Sequence, residues 1–186
     1  MIIITGLGNP EEKYLRTRHN AGFTAVDEFQ KKNNFSDFIF SKKINSLISE
    51  GVFNNEKIII IKPQTHMNNS GRAVRLALDY YKGKCLDLFV IHDDSDLVLG
   101  KIKIVKNRGS AGHKGVESII NEIGSQDFIR IRIGIRSKNL KDASDFVLKK
   151  FSQKEEVLFK RAVKKTIEAV EYFKKEGLKK TMNKYN

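Results

Sequence analysis

A chain of 186 residues and 21.3 kDa, 40% apolar and 31% charged, can bury roughly 70% of its unfolded surface in one domain, which excludes wholesale disorder and a fibrous repeat. No apolar run is long enough to span a membrane, the start Met1-Ile2-Ile3-Ile4-Thr5-Gly6 lacks the basic flank of a leader, and the lone Cys85 excludes an internal disulfide or a cysteine zinc cage; a soluble cytoplasmic protein is expected. Lys and Arg number 35 against 22 Asp and Glu, a net charge of +13, of which residues 149–184 supply +7 from twelve cations and five acids; a field of that sign attracts polyanions such as nucleic acid.

In chain order, Ile2–Gly6 reads as a buried strand running into a glycine turn. Phe23, Val26 and Phe29 predict a helix from about Asn20 to Lys32. Ser46–Phe53 and Lys57–Lys62 are the arms of a hairpin around Asn54-Asn55, stopped by Pro63. Ser70 is placed to cap a helix whose Ala73, Val74, Ala77 and Tyr81 share a face. The run Leu86–Ile91 predicts a central strand, and Lys101–Val105 a strand with one wet face. Val116, Ile119, Ile120 and Ile123 mark a helix opened by Gly115 and closed by Gly124. Arg130–Ile135 alternates, so one face of that strand carries arginines. Ser152 with Glu155 forms a capping box for the longest helix, with Leu158, Ala162, Ala169, Val170 and Phe173 turned inward and Gly177 just past its end. Strands interleaved with helices predict an α/β fold, a single domain over residues 1–186 with a twisted mixed β-sheet flanked by helices in three α/β/α layers.

Polar residues collect at four strand-to-loop positions, where open α/β sheets bind their ligands: Gly6–Asn20, Thr65–Gly71, His92–Asp96 and Gly109–Gly115. Gly6-Leu7-Gly8 after a first strand invites a dinucleotide site. Glu11 stands where the third glycine is needed, however, and Pro10 removes an amide, so the glycines are read as a sharp turn with Asn9 displayed at the bend. His92-Asp93-Asp94-Ser95-Asp96 offers hard metal ligands. His19, His66 and His113 stand beside Asn, Met or Lys rather than another acid, which weighs against a metal centre. Asp94 and Asp96 are explained by a turn with Ser95, whereas Asp93, directly after an apolar strand, needs a partner. Without a G-x-S-x-G elbow, and with Cys85 in an inert setting, nucleophilic serine or cysteine chemistry has little support.

There remains a histidine acting on water. A neutral imidazole accepts a proton near neutral pH, and a carboxylate on its other nitrogen fixes the tautomer. His19 with Asp93 can supply that pair, with Asn9 and Asn68 giving neutral hydrogen bonds to a substrate; a histidine that simply caps a helix is the competing reading.

Through Gly6-Leu7-Gly8-Asn9-Pro10, Tyr14-x-x-Thr17-Arg18-His19-Asn20-x-Gly22, Met67-Asn68-x-Ser70-Gly71, His92-Asp93-Asp94-x-Asp96-Leu97, Gly109-Ser110-Ala111-Gly112-His113 and Arg132-Ile133-Gly134-Ile135, the chain resembles the bacterial peptidyl-tRNA hydrolases over essentially its whole length. The resemblance implies hydrolysis of the ester that joins a peptide to the 3′ end of tRNA. It implies that His19 is the base that activates water, that Asp93 holds its basic form, and that Asn9 helps tell N-blocked from free aminoacyl-tRNA. By the same match Tyr14, His66, Met67, Asn68 and Lys114 line the peptide and 3′-end site, while Lys103 and Arg132 grip tRNA phosphate; Lys101, Lys106 and Arg108 join that patch by proximity. Peptidyl-tRNA is then the partner, with no cofactor, metal, membrane or obligate protein partner, and a monomer as the default. The chain departs from the family pattern at Glu11 (customarily Gly), His66 (Phe) and Lys114 (Asn), and its glycine loop is one residue shorter. Because Lys only donates where Asn also accepts, Lys114 is expected to turn toward phosphate or the developing oxyanion. A non-catalytic RNA-binding protein on the same fold, as plant intron-splicing relatives of the family illustrate, would keep the basic surface without needing His19 and Asp93.

Overall fold

The isoleucines that open the chain are divided between two cores. In the computed structural model, which describes residues 1–137 and 146–186, β1 (Ile2–Gly6) sends Ile2 and Ile4 to one face of a sheet and Ile3 to the other. β4 (Glu56–Pro63) splits Ile58 and Ile60 from Ile59 and Ile61 in the same way, and β5 (Leu88–Val98) splits Phe89 and Ile91 from Leu88 and Val90. Strands covered on both faces have no wet side, so their sequences run apolar without alternating.

With β2 (Ile39–Ser41), β3 (Ser46–Phe53), β6 (Ile102–Lys106) and β7 (Ile129–Arg136), these strands form one seven-stranded sheet in the order β2-β3-β4-β1-β5-β7-β6. β4, β1, β5 and β7 run parallel, while the pairings β2–β3, β3–β4 and β6–β7 are antiparallel. α1 (Ala21–Lys32) and α4 (Gln153–Tyr185) cover one face, and α2 (Ser70–Tyr81) and α3 (Lys114–Ile123) the other. The mixed sheet between helical layers is therefore the fold expected. Asn54 and Asn55 both take positive φ (49° and 59°), which gives the β3–β4 hairpin a turn that matches strand twist.

Four local expectations are corrected. Ser70 does not cap α2: it lies inside the helix and donates its hydroxyl proton to the Met67 carbonyl (2.9 Å). α3 is capped by His113, whose Nδ1 accepts from the Val116 N–H, rather than opened by Gly115 alone. Leu158 is 40% exposed instead of inward, because it sits at the edge of α4 over Gly100. Arg130, read as part of a strand face bearing arginines, is 2% exposed: it is buried because two backbone carbonyls, Arg108 (2.7 Å) and Gly109 (2.9 Å), accept from its guanidinium. The long helix does leave helical geometry at Gly177 (φ 78°, ψ 172°), then resumes to Tyr185. Beyond it the Asn186 amide pairs with both backbone groups of Ile104 in β6, accepting at 2.6 Å and donating at 3.0 Å. Among the described residues no helix is long and apolar enough to cross a membrane.

Since the four parallel strands end on the same side, the loops that follow them converge there, together with the N-terminal ends of α1, α2 and α3. Such a convergence favours ligands with developing negative charge.

Candidate active site

Entry to α1 decides where the first histidine stands. Gly22 presses the helix against the sheet so closely that a Cβ there would overlap the Ile91 carbonyl and the Leu7 backbone. The Leu7 amide donates to Ile91 (2.9 Å), and the Phe23 amide to Leu7 (3.2 Å), locking helix, turn and β5 together. Arg18, one residue before His19, is itself buried: its guanidinium stacks on Phe146 and Phe151 (4.0 and 4.4 Å to the ring centres) and pairs with Glu155 at 2.8 Å. The His19 amide donates to Val147 (2.8 Å), so backbone on both sides holds the residue.

Asp93, midway along β5 and one residue before the register irregularity that follows Asp94, is 2% exposed. Its Oδ1 lies 2.9 Å from His19 Nδ1 and 3.0 Å from His113 Nε2. The tautomers follow from the partners. His113 Nδ1 accepts the Val116 amide proton, so its own proton is on Nε2 and is donated to Asp93. His19 donates Nδ1–H to the same carboxylate, which leaves Nε2 as a lone pair with no partner among the described residues. Burial alone would raise the Asp93 carboxyl, but the two histidines outweigh it and hold the group well below the usual carboxylate range. The neighbouring His92 donates Nδ1–H to the Asp93 carbonyl (2.6 Å), and burial, then His113, push it well below the ordinary imidazole range.

His19, Asp93 and His113 present three ligand-type atoms within 4.8 Å of one another. Two N–H groups point at the carboxylate, however, and His113 cannot offer an Nε2 lone pair without turning a second N–H against the Val116 amide. The geometry suits a hydrogen-bonded cluster better than a cation site. His113 is also the residue whose sequence neighbours concealed its acid; the fold, not its sequence surroundings, brings it to Asp93.

These groups line a cleft of about 630 Å³. It gathers nearly every residue expected: Asn9, Tyr14, His19, His66, Met67, Asn68, Asp93, Lys114 and Arg132. Lys103 is outside it, exposed on β6 and directly opposite Arg132 in the β6–β7 ladder. Asn9 is 8% exposed, not displayed as the sequence suggested. The reason is a clasp: the Asn20 side chain accepts from the Asn9 amide (2.9 Å) and donates to its carbonyl (3.0 Å), copying a strand partner. Asn9 Oδ1 accepts from the Met67 amide (2.9 Å), so its Nδ2 is the group left for a ligand. Asn20, His113 and the wall residues Val147 and Leu148 are the site features that sequence reading missed.

At the rim, two departures from the family pattern meet: His66 Nδ1 is 3.3 Å from Glu11 Oε1, and Glu11 also pairs with Lys13 (2.6 Å). Lys13 first, with His66 adding, holds the exposed Glu11 carboxyl below its ordinary value. Arg132 lines the cleft and is tied through Nε to Asp94.

A sequence profile of the peptidyl-tRNA hydrolase family matches residues 3–186. The chain belongs to that family. The peptidyl-tRNA hydrolases of Thermodesulfovibrio yellowstonii and Lachnospira eligens are 45% and 44% identical to it, with all of this chain and 99% and 100% of those proteins covered. The crystal structure of the Acinetobacter baumannii peptidyl-tRNA hydrolase superposes with a TM-score of 0.92 at 29% identity, covering 100% of this chain and 94% of that one. A peptidyl-tRNA hydrolase crystallised with N-propanol gives 0.93 at the same identity and coverage. The family fold therefore extends over the whole chain, including the strands and helix starts that build the cleft.

Proposed function

We propose that this chain hydrolyses the ester between a peptide and the 3′ end of tRNA, with His19 as the base that activates water. What carries the reading is the pairing of His19 Nδ1 with the ionised Asp93, which leaves Nε2 as the basic atom at the cleft. In this mechanism water gives a proton to His19 Nε2 as its oxygen attacks the ester carbonyl carbon. The carbonyl oxygen gathers charge in reach of Asn9 Nδ2 and of Lys114 at the cleft lip. Collapse of the tetrahedral intermediate expels the ribose oxygen, which takes the proton back from the imidazolium. Asp93 stabilises that imidazolium without accepting its proton, since two donors already hold the carboxylate ionised.

An ester needs no more than this. A positioned base contributes about 10²–10⁴-fold and one oxyanion donor about 10²–10³. Tyr14, His66, Met67 and Asn68 supply apolar and polar walls for the peptide and the terminal nucleotide, and Arg132 with Lys103 grips phosphate, which positions tRNA without reading its sequence. The proposal includes a cytoplasmic monomer whose partner is peptidyl-tRNA. Release of labelled peptide from N-acyl-aminoacyl-tRNA in the presence of a chelator tests it. His19→Ala is expected to lower kcat at least ~10²-fold with little change in tRNA affinity. Equal turnover by His19→Ala would remove the base, and no turnover by the unaltered protein would leave an RNA-binding protein.

A further inference from the structure

At the bend between β5 and β6 a shallow depression of about 430 Å³ opens against α4, well apart from the histidines. Lys101, Arg161, Lys164 and Lys165 line it over a small apolar floor that includes Leu158, and Glu168 is the one acid present. Arg161, Lys164, Lys165 and Glu168 follow one another at helical spacing and so share a face. None of the four cations has a carboxylate within ion-pair distance among the described residues, although other α4 cations do: Lys174 pairs with Glu56 and Lys180 with Glu176. Arg161 and Lys165 are an i, i+4 pair of like charge, and Glu168 is the one acid on their face of the depression.

Position ties this cluster to the cleft. The Lys101 carbonyl accepts from the Gly134 amide (2.9 Å), two residues beyond Arg132, and Lys103 faces Arg132 across the ladder. Arg132 and Lys103 are cross-strand neighbours, Lys101 stands two residues, about 7 Å, further along the border, and the α4 cations lie around that edge, on the face that Ile102 and Ile104 turn toward α4. We propose that this depression holds the sugar-phosphate backbone of the double-helical arm of tRNA, beyond the single-stranded 3′ end that enters the cleft. The inference rests on the hydrolase reading only in taking tRNA as the ligand. A lipid surface suits the site poorly, since it is concave and exposes little apolar area to insert.

The test uses the variant Arg161→Gln/Lys164→Gln/Lys165→Gln in the full chain; all three side chains are exposed, and Gln keeps helix propensity. Binding of deacylated tRNA is measured across a salt series, and turnover is measured on two esters, N-acyl-aminoacyl-tRNA and an N-acyl-aminoacyl CCA trinucleotide with no duplex. The expected result is a Kd for tRNA raised about tenfold near 0.15 M salt, a slope of log Kd against log salt reduced by about 2 to 3, and a raised KM for the tRNA ester alone. Unchanged affinity and slope would overturn the proposal. So would an equal loss on the trinucleotide ester, which would mean that the face acts through the fold, or a loss confined to binding of anionic phosphatidylserine vesicles. A slope change in a protein that cleaves neither ester would uphold this site while removing the hydrolase reading.

Discussion

The His19–Asp93–His113 cluster and the cationic border of the sheet hold charge in opposite ways. In the cluster the carboxylate is 2% exposed, its two imidazole partners stand at 2.9 and 3.0 Å, and the Val116 amide on His113 Nδ1 sets that ring's tautomer. Along the border Lys101, Lys103, Arg161, Lys164 and Lys165 are exposed and, among the described residues, form no ion pair. Geometry carries the first region and summed charge the second. One altered atom should therefore be felt strongly and at any salt concentration in the cluster, whereas changes at the border should be graded and screened.

The sharpest way to break that contrast is Asp93→Asn. The amide sets an N–H donor beside His19 Nδ1, moves the imidazole proton to Nε2 and removes the base. A loss in kcat of ~10³–10⁴ is expected, independent of salt; single-turnover rates at two ionic strengths would check it, and a loss under tenfold would deny the carboxylate its orienting role. Next comes stability. His92 stays neutral in the folded chain well below the ordinary value of 6.5, which it regains on unfolding. The unfolded chain then binds a proton that the folded chain refuses, so this contribution is complete above about pH 6.5 and lost as pH falls, by up to about 1.4 kcal/mol per pH unit. Denaturant titrations of His92→Asn from pH 7 to 5 should show that much less acid slope than the unaltered chain, and equal slopes would assign the acid sensitivity elsewhere. The smallest effect is expected at the border: Lys103→Gln should reduce the salt slope of tRNA binding by about 1, and a larger, salt-independent loss would move Lys103 from the border to the cluster.

How much of this was legible in the sequence follows the same division between local and long-range causes. The strands and helix faces were readable because their signal is local: unbroken isoleucine runs such as Ile2–Ile4 and Ile58–Ile61 fit a sheet covered on both faces, and Val116, Ile119 and Ile123 at helical spacing fit a covering helix. The His19–Asp93 pair could be argued from chemistry, because a buried acid after an apolar strand requires a partner. His113 could not, since nothing near it in the chain shows that its Nε2 reaches Asp93 while its Nδ1 caps α3. Asn20 and Arg130 were hidden for another reason. Their partners are backbone groups of Asn9, Arg108 and Gly109, and a backbone carbonyl has no letter in the sequence. Leu158 looked like a core residue by type and spacing, yet it floors a charged hollow.

β6 is the outermost strand on its side of the sheet, and an uncovered rim of amides and carbonyls is normally an invitation to further polypeptide. The Asn186 amide answers it at Ile104, occupying donor and acceptor together. Another chain cannot zip onto that register without first evicting a residue from the same molecule. At Ile104 this flank thus presents a filled pair of backbone groups, between the exposed Lys103 and the buried Val105 of the same strand.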